Sequence, residues 1–445
     1  MTGSLLRRKD VRSWCLYDWA NSAFVTSITA VLLQFHFLDL IPEGQPPRVG
    51  FGRYHYETSG VALWGYLGSV YMLAAGLVSP VLGAAADRTG GKKRYLAFCV
   101  LVGAALTCGL ALTAKGQYQL CGLVYVGAAF LWTCGNLFYD SLLTELSNDE
   151  LELGAISSSG YAIGYLGGGL LLAAHFVMVS RPHWFGLSDA SQAIRIAFIT
   201  VGIWWVVFSL PLLRHVRQKR MRRTGAPSGS LVISSLRQIL STLAELNRFK
   251  HLARLLVAFI LYNTGIGTVI FVAAVFGKDE LELSKTTLIG CVLMIQFVGF
   301  PAAFVFITLA KKLGTRGAIF VGLAAYIGVV VFALFMQTAT HFWIMGFLVA
   351  LVQGGTQALS RSLYGSMIPP GRSGEFFGFF SIFNKVGSFA GPLCFALARD
   401  LTGSTRAAVG CLAGFFVLGA LVLATVNVRE GKAAARTDHV SSEIT

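Results

Sequence analysis

Charged and amide side chains set into long apolar runs are the residues of this sequence that could do chemistry. The stretch WCLYDWANSAF, residues 14–24, opens an apolar run yet holds Asp18 and Asn21. Asn136, Tyr139 and Asp140 recur at i, i+3 and i+4, one face of a helix, and Gln353, Gln357, Arg361 and Tyr364 mark a similar face. Lys385 stands in the middle of another apolar run, preceded by Asn384. A charge at the centre of a bilayer costs at least about 2.5–3.5 kcal/mol unless it is paired or hydrated. Such residues are therefore expected to face a cavity, and the chemistry open to them is binding. A cation meets a carboxylate, a carboxylate meets an amine or a proton, and carboxamides serve either.

Asp18 has two readings. It binds a substrate amine or a proton, or it forms an ion pair with a gate cation, since it lies one turn inside the apolar run. Asp140 and Arg361 lie at matching places in the two halves of the chain, and their opposite charges suggest a gate that closes and parts. A plainer pairing sets Asp140 and Glu145 against Arg88 and Lys92, and a conformational lock is preferred to substrate contact for both acids. Snorkelling needs a helix end, so Lys385 must turn to the cavity and meet a carboxylate there, the substrate's or the protein's. Asn263 and Gln296 are expected on the cavity side or in interhelical hydrogen bonds. His36 is expected at the interface and His175 as a packing residue. No Walker loop, metal-ligand spacing, nucleophile–base pair or cysteine framework is visible among the motifs, so the chain reads as no enzyme and as needing no cofactor. A coupling proton is the one auxiliary species these residues leave open.

The elements that must position these residues follow from composition. Of 445 residues 55% are hydrophobic and 13% charged, against roughly a quarter charged in soluble domains. This is an all-α polytopic membrane protein. Twelve runs are long enough to cross a bilayer at about 20 residues each: 14–38, 59–83, 95–114, 118–143, 156–180, 194–213, 251–276, 286–310, 317–337, 342–366, 374–398 and 407–427. With the N-terminus inside, the inside segments hold well over half of the 36 lysines and arginines, so both termini are expected in the cytoplasm. The net charge of +15 then reflects lipid contact, not nucleic acid. Residues 1–213 form an N-terminal six-helix bundle, 214–250 a basic linker, 251–427 a second bundle and 428–445 a tail. Within the linker, Val232, Leu236, Ile239, Leu243 and Leu246 predict an amphipathic helix on the membrane surface.

The halves echo each other. LYDW at 16–19 answers LYNT at 261–264, and DSLLTEL at 140–146 answers RSLYGSM at 361–367. Two pseudo-symmetric bundles with a site between them is the architecture such repeats build. The segment GAAADRTGGKKR, 83–94, fits the Gly-x-x-x-Asp-Arg-x-Gly-x-basic-basic pattern of the major facilitator superfamily. Gly83 is expected to let a loop turn, Asp87 to sit at another helix's N-terminus, and Arg88 and Lys92 to pair with nearby acids. The symmetric stretch 309–317 has Lys311 and Lys312 in place of Asp-Arg, so a matching second lock is not expected.

The motifs YDWANSAF (17–24), GNLFYDSLLTEL (135–146), GYAIGYLGGG (160–169), QALSRSLYGSMIPPGRSGEFFGFF (357–380) and NKVGSFAGP (384–392) resemble the vacuolar-effluxer-like branch of that superfamily. The branch includes the autophagy-related vacuolar amino-acid effluxers and bacterial relatives. Its helix 7 often reads Tyr-Asn-Asp-Gly, where this chain has Thr264. The resemblance implies a major facilitator fold, alternating access and amino-acid-like cargo. The expected function is secondary transport of a small zwitterionic or carboxylated solute, by proton-coupled efflux in one version. The expected substrate contacts are Asp18, Asn21, Asn136, Tyr139, Asn263, Gln296, Gln357, Asn384 and Lys385. The expected lock comprises Gly83, Asp87, Arg88, Lys92, Asp140, Glu145 and Arg361. The protein is expected to be a monomer in a bacterial cytoplasmic (inner) membrane, with solute and lipid as its partners. A multidrug exporter and a non-transporting membrane sensor are the alternatives.

Overall fold

The structure, a computed structural model, describes residues 5–42, 47–51, 54–57, 60–218, 249–279, 281–283 and 285–435. Helices dominate because backbone N–H and C=O groups in lipid must be satisfied within the segment that carries them. The first half holds α1 (Lys9–Asp39), α2 (Gly60–Thr89), α3 (Lys92–Gly109), α4 (Tyr118–Ser141), α5 (Glu150–Ser180) and α6 (Ala190–His215). The second begins with α7 (Lys250–Asp279). The helical run Lys285–Leu334 breaks at Gly314, whose φ of 75° only glycine adopts freely. It is therefore two helices, α8 (285–313) and α9 (315–334). Then come α10 (Ala339–Ser366), α11 (Ser373–Thr402) and α12 (Thr405–Ala424).

Among the described residues, ten stretches are long and apolar enough to cross a membrane, and one of them, Gly290–Leu334, contains both α8 and α9. The 30-residue α11 is long enough too. Leu77, Phe98, Leu101, Leu123, Val305 and Leu421 are each more than half exposed. A belt of this kind suits lipid, not water. The chain is thus an integral, multi-pass membrane protein. The twelve expected spans sit where the helices sit. The largest shifts are in α2, which runs to Thr89 rather than ending at 83, and in α5, which begins at Glu150 rather than at 156. One feature was not anticipated: Arg48–Phe51 (β1) and Tyr54–Glu57 (β2) pair antiparallel between α1 and α2.

We call the end of the bundle that carries Lys9, Lys92 and the turn before Ser373 the basic end. Across the two halves, α2 packs on α11, and α5 packs on α8 and α10. Gly160, Gly164 and Gly168 form a ridge on α5, and a methyl at any of them would press on Asp18, Ser22 or Thr26 of α1. These glycines are packing residues that draw α1 in close. Over Phe24–Leu32 the turns of α1 widen to a π-helix, in a run rich in β-branched residues that crowd an α-helix. Thr26 uses the local slack to donate to the Ser22 carbonyl at 3.0 Å and the Gly168 carbonyl at 3.3 Å.

The predicted amphipathic helix of the linker lies outside the described residues. In the tail, 428–435 are helical and pack back on the bundle. Glu430 meets His251 at 2.8 Å, and Lys432 pairs with Glu150 of the first half.

A candidate solute cavity between the halves

A cavity of about 490 Å³ lies between the halves. It is walled by α1, α4 and α5 of the first half and by α7, α8, α10 and α11 of the second. All nine residues expected to touch substrate line it: Asp18, Asn21, Asn136, Tyr139, Asn263, Gln296, Gln357, Asn384 and Lys385. Helical periodicity brings them there, because a polar stripe on each helix has no other place to hide from lipid.

Three helices of the second half contribute a carboxamide chain. Gln357 of α10 donates to Asn263 of α7 at 3.4 Å, and Asn263 donates to Asn384 of α11 at 2.8 Å. Thr264, where the resemblance led an acid to be expected, does not belong to this set. It is buried and packs under Gly387 of α11.

Lys385 reaches across to the first half, with its ammonium 5.8 Å from the centroid of the Trp132 ring on α4. A cation over an indole face is attracted by the ring quadrupole, by about 0.5–2 kcal/mol. Among the described residues no carboxylate lies within ion-pair distance of Lys385. Of the two carboxylates the sequence offered it, the substrate's or the protein's, the protein's is not found beside it among the described residues.

Toward the basic end the cavity closes on Arg361. Its Nη1 donates to Asp140 at 2.9 Å, its Nη2 lies 3.5 Å from Asp18, and its Nε donates to Ser157 Oγ at 2.9 Å. The rings of Trp14 and Tyr161 flank the guanidinium at 4.9 and 4.7 Å. Tyr139 donates its hydroxyl to Asp18 at 2.7 Å. The arginine comes from the second half, and everything that cages it comes from the first. A planar guanidinium with five fixed donors can satisfy so many partners where a lysine could not. Both readings of Asp18 meet here, since it lines the cavity and also faces the gate cation.

Below this clamp lies the lock. Asp87 accepts from the backbone N–H groups of Gly374 and Glu375 at 3.0 and 2.8 Å, at the N-terminus of α11. Free N–H groups and the helix dipole both favour a carboxylate there. Lys92 stands 3.2 Å from Asp87 and 3.0 Å from Glu145, and donates to Ser373 at 2.6 Å. Arg88 follows Asp87 on α2 and is half-buried.

Two expectations need correction. Gly83 does not shape a loop. It lies inside α2, where the backbone of Gly374 comes so close that a side chain would not fit. The turn is made at Gly90, with φ of 58°. Asp140 does not pair with Arg88 or Lys92; its partner is Arg361, the gate pairing also read from the sequence, and of the two acids it is Glu145 that meets Lys92. His36, near the outer end of α1, is buried and bonded to Thr113 at 2.9 Å. His175 is a packing residue, bonded to Ser27 and Thr200 at 3.1 and 2.9 Å.

The matching lock in the second half is indeed built otherwise. Lys311 and Lys312 are exposed, and the N-terminus of α5 is capped by its own Asp149, which accepts from Glu152 N at 2.8 Å. Sequence reasoning missed Trp132, Tyr161, Tyr165 and Ser381 in the cavity wall. Aromatic residues are common in membrane helices, so their types carry no signal. The i+4 spacing of Tyr161 and Tyr165 beside the glycine ridge was the clue available.

Comparison with known proteins agrees with this architecture. The family described as "Vacuole effluxer Atg22 like" matches residues 6–436. The chain is 30% identical to the MFS-type transporter YxiO of Bacillus subtilis, covering 94% of this chain and 95% of the relative. It is 24% identical to autophagy-related protein 22 of Kluyveromyces lactis over 96% and 95%. Among solved structures, the proton:xylose symporter XylE superposes with a TM-score of 0.70 at 13% identity, over 99% of this chain and all of that one. The human organic anion transporter TETRAN does so with 0.67 at 14%, over 93% and 99%. At these identities the two structures speak for the fold alone.

Proposed function

The chain belongs to the Atg22-like vacuole effluxer family of MFS-type transporters, not to the enzymes, and from that premise we propose that it carries a small carboxylated or zwitterionic solute of amino-acid-like chemistry across a cytoplasmic membrane by alternating access. The observation that carries this reading is Lys385. It is a cation facing the cavity at mid-helix, with an indole but, among the described residues, no carboxylate beside it. A solute carboxylate completes it, and the carboxamides of Asn384, Asn263 and Gln357 stand ready for the solute's other polar groups.

Rocking of the halves is the second component. The clamp and the lock hold the basic end shut in this state, and each joins a group of one half to a group of the other. Opening parts Arg361 from Asp18 and Asp140. Those two carboxylates then lose their cation together, and a proton is the simplest replacement, which supports proton coupling at this pair. Both termini lie in the cytoplasm in this proposal, and efflux is the direction the family name favours. One chain supplies both walls of the cavity, so a monomer suffices.

Counterflow in proteoliposomes tests the reading. Lys385→Ala should cut uptake of a carboxylated substrate by at least tenfold and leave the protein folded by size-exclusion chromatography. Wild-type rates in that variant would remove Lys385 from the mechanism.

A further inference from the structure

The cavity has two charged poles, and they are far apart. Its lining acids are Asp18 and Asp140 and its lining bases are Arg361 and Lys385. Asp18 and Asp140 share the one guanidinium of Arg361, so one negative charge is left over at that pole. At the other pole Lys385 is a positive charge with no carboxylate partner among the described residues.

The helices give the separation. Lys385 lies over Trp132, and Arg361 is bonded to Asp140, both on α4. Eight residues at 1.5 Å rise separate Trp132 from Asp140, about 12 Å along the axis. Side chains lean the same way along a helix, so the offset carries over to the charged ends. The first helix agrees. Trp132 donates its indole N–H to the Asn21 carbonyl at 3.2 Å, and Asp18 lies nearly a turn further toward the basic end. Between the poles, Asn21 lines the cavity wall.

Resting on the reading that this cavity is the solute site and that Lys385 takes a carboxylate, we propose that the substrate is a short peptide, a di- or tripeptide zwitterion. Its C-terminal carboxylate lies at Lys385 and its N-terminal ammonium at Asp18 and Asp140. Charge-assisted contacts take up about 3 Å at each end, which leaves roughly 6 Å between the ligand's own charges. A residue of extended chain spans about 3.3–3.6 Å. The ammonium and carboxylate of a single α-amino acid sit on one carbon and reach one pole at a time. Two or three residues reach both.

Binding to the purified protein decides the matter. The probes are alanine, leucine, their di- and tripeptides, and the N-acetyl and C-amide forms of the dipeptides. The expected result is that free peptides bind at least tenfold tighter than the amino acids, and that each blocking group costs at least tenfold. In Lys385→Ala the penalty of the C-terminal amide disappears while that of N-acetylation stays. If an amino acid binds as tightly as its peptides and still depends on Lys385, the peptide assignment falls and the carboxylate reading stands. If no carboxylated probe binds, or Lys385→Ala changes nothing, both fall. The blocked peptides on the unaltered protein decide the length question even if the variant fails to insert.

Discussion

At the scale of single residues, Arg361 does the most. Its side chain is 5% exposed, and its two carboxylate partners are 11% and 20% exposed. Removing one partner of such a buried set costs about 3–5 kcal/mol, because the remaining charges stay buried and unpaired. The loss falls on the state closed at the basic end, since Arg361 meets Asp18 and Asp140 only when the halves touch. Arg361→Gln should therefore shift the population toward opening at that end. Spin labels on exposed Leu151 and Leu313 in a cysteine-free background report it, with a longer distance expected in the variant. An unchanged distance would mean that Arg361 serves binding and not the gate. Asp18, Asp140 and Arg361 were all legible as chemistry-bearing residues, because charge in an apolar run stands out. Their pairing was one of two the sequence offered, and choosing it over Arg88 and Lys92 needed the fold, because it joins α1, α4 and α10 across more than two hundred residues of chain.

Between elements, the closed end depends on how near α2 and α11 come. Gly83 faces Gly374 backbone to backbone, Gly378 sits against Pro80, and Ser79 lies 3.2 Å from Ser381. A helix pair this close excludes water and lets Asp87 reach the first N–H groups of α11. If the contact breaks in each cycle, bridging it should stop the cycle. Oxidation of a Ser79→Cys, Ser381→Cys pair should form a disulfide and abolish counterflow, with reduction restoring it. Full activity in the cross-linked protein would show that these helices do not part. The sequence pattern placed Asp87 at a helix N-terminus but assigned Gly83 to a turn. Both a turn and a close helix crossing ask for glycine, and the pattern alone does not distinguish them.

At the scale of the whole molecule, the excess of lysine and arginine on alternate segments sets the orientation expected in a membrane. A cysteine introduced at exposed Lys115 should react with an impermeant maleimide on intact cells, and one at exposed Arg429 only after permeabilisation. The reverse pattern would invert the direction of every step proposed for the cycle.

The sequence by itself determined the helical membrane class, the family and the list of polar residues that face inward. Each of these follows from local facts: apolar length, charge placement, motif spacing and the cost of a polar group in lipid. Only the tertiary structure decided who pairs with whom. Arg361 holds Asp140 and Asp18, Lys92 holds Asp87 and Glu145, and Lys385 is left with Trp132. Those outcomes depend on how the two six-helix bundles meet, and angstrom-scale distances between helices far apart in the chain are not written in any one stretch of it.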